Sequence, residues 1–541
     1  MGEDCYNAAA WLLDRHLAEG RGGRLAVVAG EERWSYEDLS RLVAAVQHGL
    51  GALGVRPEER VAMVVRDEPA FLAWFLGCLR SGVVPVPLST MLTGPEVAAI
   101  VDDARAATVV VSADHLPLLP DVAAGAPELR HAIVLGRPAG PAPTTPAAPA
   151  PPAPPAVELV AFDDLDDDSD APVARTRRDS PAFWLYSSGT TGTPKGVMHR
   201  HASLEATATT YAREVLRVGP EDRFFSAAKL FFAFGLGNAL TFPLSVGAAT
   251  VLDSRPASPS MVADVVALHR PTLLFGTPGL LAAMLATGIE PGPFGSVRLG
   301  VTAGEALPAE VHRRFTGRFG FPVLDGLGST EALHIFLSNR EGSERPGSSG
   351  TPVDGYEVRL VDDAGREVLD TGTPGNLQVA GPSVASGYWC RTEASQAAFE
   401  GRWLRTGDVY LREEDGCYRF LGRTSDMIKA GGIWVAPAEV EGVLVTHPDV
   451  AEAAVVGGRT PDGLEEVVAY VVTRPGAAVA VSGIEAHCRE RMAPFKRPRR
   501  IELVDELPKT ATGKVQRYRL RARVATGAVP AGDGVGAATR R

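Results

Sequence analysis

The sequence predicts an α/β fold, a large N-terminal domain built on mostly parallel sheets followed by a small, mobile α+β C-terminal domain. Three observations predict it. Short apolar runs alternate with amphipathic helical stretches along most of the chain, the pattern of strands joined by crossover helices. After Gly422 the texture changes to a shorter unit with two strand-like segments and one clear helix. The length, 541 residues, also exceeds what one core holds at roughly 150 residues per domain.

The N-terminus, Met1-Gly2-Glu3-Asp4, is acidic and lacks the apolar stretch of a secretory signal. Gly2 would suit myristoylation, but Tyr6 stands where that signal requires Ser or Thr. The apolar run Ala70 to Leu79 ends at Arg80, far short of the ~20 residues a membrane span needs, and reads as a buried helix. The five cysteines are scattered without a CxxC pair, so neither a disulfide framework nor a zinc site is expected. These features together place the chain in the cytoplasm, with no membrane partner.

Nine of the twenty-one residues from Arg137 to Val157 are proline, and an acidic run, Asp163 to Asp170, follows. Residues 137–180 are therefore expected to form a mobile Pro/Ala/Asp-rich insertion. Beyond it, Phe183-Trp184-Leu185-Tyr186 reads as a strand buried on both faces. Val297 to Thr302 and Phe321 to Leu324 read as further strands, each ending in a turn rich in Gly, Asp or Glu. The large domain is expected over residues 1–424. The small one covers 425–525, with strands Val450 to Val456 and Glu466 to Val472 and a helix Ile484 to Met492. A disordered tail, 526–541, closes the chain.

A net charge of −11 disfavours nucleic acid as the main partner. Residues Arg489 to Arg523 are locally basic, either as solvated surface or as a patch that meets a polyanionic cofactor.

Five motifs carry chemistry. Tyr186-Ser187-Ser188-Gly189-Thr190-Thr191-Gly192-Thr193-Pro194-Lys195-Gly196 sets threonines, glycines and a lysine at a strand end. Such a loop offers backbone N–H groups, hydroxyls and a charge to phosphate. It is not a Walker A loop, because Thr193-Pro194 precede Lys195, and without a ligand it would be an ordinary flexible loop. Gly326-Leu327-Gly328-Ser329-Thr330-Glu331, following Asp325, suits Mg²⁺ on substrate phosphates or, equally, a helix start with an acidic first turn. Thr302-Ala303-Gly304-Glu305-Ala306 permits close packing against a flat ring. Trp403-Leu404-Arg405-Thr406-Gly407-Asp408, with Gly422-Arg423, suits ribose hydroxyls. Pro508-Lys509-Thr510-Ala511-Thr512-Gly513-Lys514 presents a lysine that would neutralise a carboxylate attacking a phosphate.

The order and spacing of the five motifs resemble the acyl-adenylate-forming (AMP-binding) superfamily over nearly the whole chain. The resemblance implies ATP, Mg²⁺ and coenzyme A as cofactors, and assigns roles by position. Thr190, Thr191, Gly192, Thr193 and Lys195 match the phosphate loop, and Gly304, Glu305, Ala306 and Asp325 the adenine site. Thr330 matches a phosphate contact, Glu331 the Mg²⁺ ligand, Asp408 and Arg423 the ribose contacts, and Lys514 the adenylation lysine. Gly431 and Gly432 match the pantetheine tunnel, and Ser425 the hinge.

Within the superfamily, Lys229-Leu230-Phe231-Phe232-Ala233-Phe234-Gly235-Leu236-Gly237-Asn238 and Asp325 to Phe336 look like benzoate–CoA ligases. That likeness puts Ala233, Phe234, Ala303, Gly328, His334 and Ile335 around an aryl acid, although Phe234 and His334 also suit plain core packing. Two positions depart from the pattern. Phe234 replaces the tyrosine usual in benzoate ligases, and Ser425, followed by Asp426, replaces the usual hinge Asp or Lys. Hinges need tolerance of backbone rotation more than a particular charge, so swivelling is expected to survive. The implied activity is an AMP-forming acid–thiol ligase that makes aryl-CoA. Alternatives are loading of an acyl carrier protein, a non-catalytic nucleotide sensor, or a luciferase-like oxygenase; a homodimer is the expected assembly.

Overall fold

The structure, a computed structural model, describes residues 5–136, 158–161, 171–188, 194–430, 433–460, 465–474, 476–477, 480–509 and 515–526. Most of the predicted insertion, and the tail after Thr526, lie outside them. The chain forms two compact units. One comprises Met1–Leu307, Val311–Arg359 and Gln378–Thr406, the other Pro308–Glu310, Leu360–Leu377 and Gly407–Arg541.

In the first unit, strands β1 (Leu25–Ala29) and β2 (Glu32–Ser35) form an antiparallel edge pair. Five strands follow: β3 (Arg60–Val64), β4 (Val84–Pro87), β5 (Thr108–Ser112), β6 (His131–Leu135) and β7 (Glu158–Ala161). They make an all-parallel sheet in the order β4-β3-β5-β6-β7. All of β5, Thr-Val-Val-Val-Ser, is buried, which is why it reads as a continuous apolar run. The helix Pro69–Arg80 covers this layer, with Phe71 to Leu79 buried and Arg80 in its last turn. Among the described residues no helix is long and apolar enough to cross a membrane.

The strands β8 (Pro181–Ser188) and β9 (Pro194–Arg200) flank the threonine-rich loop. Phe183 to Leu185 are buried as predicted, but the partner is antiparallel β9 in a two-stranded hairpin. Both faces are still covered. Phe183 stacks on His199 at 5.1 Å, while Trp184 on the opposite face meets Trp389 at 4.7 Å.

The remaining strands of this unit are β10 (Arg223–Ser226), β11 (Ala249–Leu252), β12 (Leu273–Gly276), β13 (Leu299–Thr302), β14 (Val323–Gly328), β15 (Ile335–Ser338) and β16 (Thr351–Pro352). With β1 and β2 they build a nine-stranded sheet ordered β16-β15-β14-β13-β12-β10-β11-β1-β2. From β14 to β1 every pairing is parallel, so the carboxyl ends of β10, β12, β13 and β14 share one edge. In parallel α/β sheets that edge is where ligands gather.

In the second unit, Val450–Arg459 pairs antiparallel with Glu465–Thr473, which pairs parallel with Arg500–Leu503. Side chains alternate between the faces. Val455, Val467, Ala469 and Val471 meet Ile484 and Cys488 of the helix Val481–Arg491 and Val440 of Pro437–Leu444. Ala454, Val456, Val468 and Tyr470 pack on Leu520 of the helix Arg517–Thr526. Part of the basic stretch Arg489 to Arg523 is paired with acidic residues of the same unit. Lys496 pairs with Glu439, Lys509 with Glu452, Arg517 with Glu441 and Arg521 with Asp426.

Candidate active site

The carboxyl end of β14 leads into Ser329–Leu333, a tight turn and not the start of a helix. The turn is fastened from several sides. The Leu333 N–H donates to the Thr330 carbonyl at 3.1 Å, and the Ala332 N–H to Ser329 Oγ at 3.1 Å. Buried His199 donates from Nε2 to the Thr330 carbonyl at 2.8 Å. The Ala385 N–H donates to the Glu331 carbonyl at 2.8 Å. The Glu331 side chain is held as well, by Tyr388 Oη at 2.9 Å. Lys195, at the start of β9, sets its Nζ 5.3 Å from the centre of the same tyrosine ring. Lys195 and Glu331 thus both contact Tyr388. Thr190, Thr191, Gly192 and Thr193 lie outside the described residues.

Asp325, on β14 opposite Thr302 of β13, is buried. Burial raises its carboxyl well above the ordinary carboxylate range. Its Oδ1 has no hydrogen-bond partner among the described residues, while backbone hydrogen bonds from Leu307 and Gly326 act on the carboxyl in the opposite sense to burial. The loop after β13 carries buried Ala303, exposed Gly304 and Ala306 and partly buried Glu305.

This donor set fits Mg-ATP: a lysine for phosphate, one carboxylate for the metal, and a buried acceptor for an exocyclic amine. Among the described residues no group of three or more His, Cys, Asp and Glu stands ready for a metal. A single carboxylate suits Mg²⁺, which keeps water and phosphate oxygens as its other ligands.

Three residues beyond Glu331, buried His334 is packed among aromatic rings. Ala233 and Phe234 open the helix Ala233–Leu236, both partly buried. The Phe234 ring is 5.5 Å from that of His334 and 6.3 Å from that of Phe275. His334 also meets Tyr211 at 5.3 Å and Phe242 at 4.6 Å. Its Nε2 donates to Asn238 Oδ1 at 3.1 Å. Desolvation lowers its pKa to about 3, so the ring is neutral at physiological pH. Gly328 sits opposite Ile335 across β14 and β15. A Cβ on Gly328 would lie 2.6 Å from the His334 carbonyl, and one on Gly237 only 2.4 Å from His334 Cδ2. Glycine at these two positions lets the strand and helix close on the histidine.

In the second unit, Asp408 is buried and Arg423 lies directly across the strand pair, its Nε 3.0 Å from Asp408 Oδ1. Ser425 is exposed in the turn just beyond, its Oγ 3.4 Å from Asp426 Oδ1. Gly431, Gly432 and Lys514 lie outside the described residues.

Sequence reasoning missed Tyr388, His199 and Asn238, which orient Glu331, Thr330 and His334. No local motif marks them. The one available signal for Asn238 was its place at the end of the Lys229–Asn238 segment.

The AMP-binding enzyme family matches residues 14–389, and the AMP-binding enzyme C-terminal domain matches 439–514. A benzoate–CoA ligase of Thauera aromatica is 43% identical over 522 residues, covering 95% of this chain and 96% of that one. A 4-hydroxybenzoate–CoA/benzoate–CoA ligase of Rhodopseudomonas palustris is 43% identical over 527 residues, covering 95% and 94%. Among solved structures, the anthranilate CoA ligase AuaEII in complex with anthranoyl-AMP superposes with a TM-score of 0.89 at 38% identity, covering 97% of this chain and 98% of that one. With its two motif-bearing units and matches along both, the chain belongs to the AMP-binding enzyme family, the acyl-adenylate-forming ligases.

Proposed function

We propose that the protein converts an aryl carboxylic acid of the benzoate type to its CoA thioester, using ATP and releasing AMP and pyrophosphate. The observation that carries the substrate class is the aromatic cluster of Phe234, Tyr211, Phe242 and neutral His334, closed by Gly237 and Gly328. Such surroundings suit a planar apolar ring and offer a charged ring little.

In the first half-reaction a carboxylate oxygen of the acid attacks the α-phosphorus of ATP and pyrophosphate leaves. Lys195, the Thr190–Thr193 loop, Thr330 and Lys514 stabilise the charge that gathers on the phosphates, and Glu331 would hold Mg²⁺. Gly304, Glu305, Ala306 and Asp325 hold adenine, and Asp408 and Arg423 hold ribose. Ala233, Ala303 and Ile335 complete the ring site. In the second half-reaction the thiol sulfur of coenzyme A attacks the acyl carbon, AMP leaves and the thiol proton goes to solvent. Gly431 and Gly432 line the thiol's approach, and rotation at Ser425 exchanges the two half-reactions. The reaction belongs in the cytoplasm, where the five free cysteines stay reduced.

The test is ATP–pyrophosphate exchange with benzoate, hydroxy- and aminobenzoates, cinnamate and short fatty acids, followed by thioester formation with CoA or a phosphopantetheinylated carrier protein. Benzoate-led exchange and CoA as the preferred acceptor are expected. Exchange led by a fatty acid would overturn the substrate class, and preference for the carrier would overturn the acceptor.

A further inference from the structure

We infer that Tyr388 is a positioning residue that keeps the phosphate-binding cation and the metal-binding anion of this site apart. Its backbone is locked beside the phosphate-loop hairpin. Tyr388 bridges to Val197 of β9, the Trp389 N–H donates to the Gly196 carbonyl at 2.8 Å, and the Met198 N–H to the Gly387 carbonyl at 3.0 Å. The next residues are clamped too, because Trp389 Nε1 donates to the Asp103 carbonyl at 2.9 Å and Arg391 pairs with the Asp103 carboxylate. From this fixed frame the ring stands between two opposite charges. Lys195 Nζ lies 5.3 Å from its centre, and its hydroxyl donates to Glu331 Oε1 at 2.9 Å.

Without the ring, a lysine and a glutamate sharing one small site would attract each other and pair directly. That pair would consume both functions, since Lys195 would no longer be available to phosphate nor Glu331 to a metal. The ring prevents this by holding the ammonium against its face, and the hydroxyl turns the carboxylate by a charge-assisted hydrogen bond. Ring and hydroxyl therefore do separable work. This inference rests on the proposed Mg-ATP site but not on the identity of the acid.

The separation is testable by binding alone, with Mn²⁺ as the paramagnetic probe and no aryl acid present. In the full-length chain, Tyr388→Phe keeps the ring and its edge contact with Phe399, 5.4 Å away. It should weaken Mn²⁺·ATP binding ~10-fold, the value of one charge-assisted hydrogen bond, with ATP affinity in EDTA unchanged. Tyr388→Ala should weaken ATP binding in EDTA as well, ~10-fold. Adding Glu331→Gln to Tyr388→Ala should restore the metal-free affinity but not the Mn²⁺ dependence. A Tyr388→Phe chain within twofold of wild type for Mn²⁺·ATP, or a double variant with no metal-free recovery, overturns the inference. So does a wild-type chain that takes up no ATP with or without metal. A purely structural role would lower both affinities together and allow no rescue. Normal metal-dependent ATP binding with no exchange for any aryl acid would instead sink the functional reading and leave this one standing.

Discussion

Replacing Gly237 with alanine adds one methyl group where the structure has no room for it. The new Cβ would lie 2.4 Å from His334 Cδ2, 2.7 Å from Nε2 and 3.2 Å from Phe242 Cζ. Ordinary contact begins near 3.4 Å, so about 1 Å must come from the histidine or the helix. The imidazole cannot give that much in place. Tyr211, Phe234 and Phe242 surround it, and its hydrogen bond to Asn238 is already 3.1 Å long. Overpacking of this kind costs ~1–3 kcal/mol, and losing the hydrogen bond inside a dry site ~1–3 kcal/mol more. The variant should therefore lose ~2–6 kcal/mol of stability. It should also raise KM for the aryl acid more than KM for ATP, because His334 belongs to the proposed ring site and not to the proposed phosphate site. Urea unfolding gives the first number and ATP–pyrophosphate exchange with each substrate varied gives the second. A stability loss under ~0.5 kcal/mol, within the range of surface substitutions, together with an unchanged acid KM, would refute the assignment of His334 as a fixed wall.

Two further expectations follow from the site and the core. Lys514→Ala should suppress adenylation ~100-fold or more, as loss of a charge stabiliser at the reacting phosphate does, while thioester formation from supplied acyl-adenylate stays near wild type; equal losses in both would refute the division of labour. In acid, His16, His199, His201 and His334 resist protonation because burial lowers their pKa values to about 4, 4, 4 and 3. Unfolded histidines take the proton near pH 6.5, so this stability is present above pH 6.5 and is lost as the pH falls toward 4. Asp67, raised to about 6 by burial, works in the opposite sense between pH 6 and 4. Asp325, raised well above the carboxylate range by burial, opposes the histidines in the same way, so the net slope near pH 5 is about 2–3 kcal/mol per pH unit, and urea unfolding at pH 7, 6 and 5 that gives a flat profile would refute it.

The fold class and most of the chemistry were legible in the sequence because both are written locally. Strand–helix alternation needs only side-chain periodicity, and the burial of Phe71 to Leu79 follows from one apolar stretch. The lysine, threonines and acidic groups of the motifs declare their chemistry by type and neighbours. What joins them is not local. Tyr388 reaches Glu331 across 57 positions, His334 reaches Asn238 across 96, and Arg391 reaches Asp103 across 288. An apolar run says that a strand is buried but not which way its partner runs, so only the fold could pair β8 antiparallel with β9. The acidic turn after Ser329 is legible as either a helix start or a ligand loop. The structure makes it a turn, because β15 returns at once to pair with β14, leaving no room for a helix to propagate. The sequence could not show which charges of the basic C-terminal stretch are paired, because their partners Asp426, Glu439, Glu441 and Glu452 meet them only once the second unit has folded. Residue types and their order determined what kind of enzyme this is. The long-range pairing of strands decided which side chains of the motifs meet, because hydrogen bonds and ring contacts depend on distance in space, and sequence separation does not record that distance.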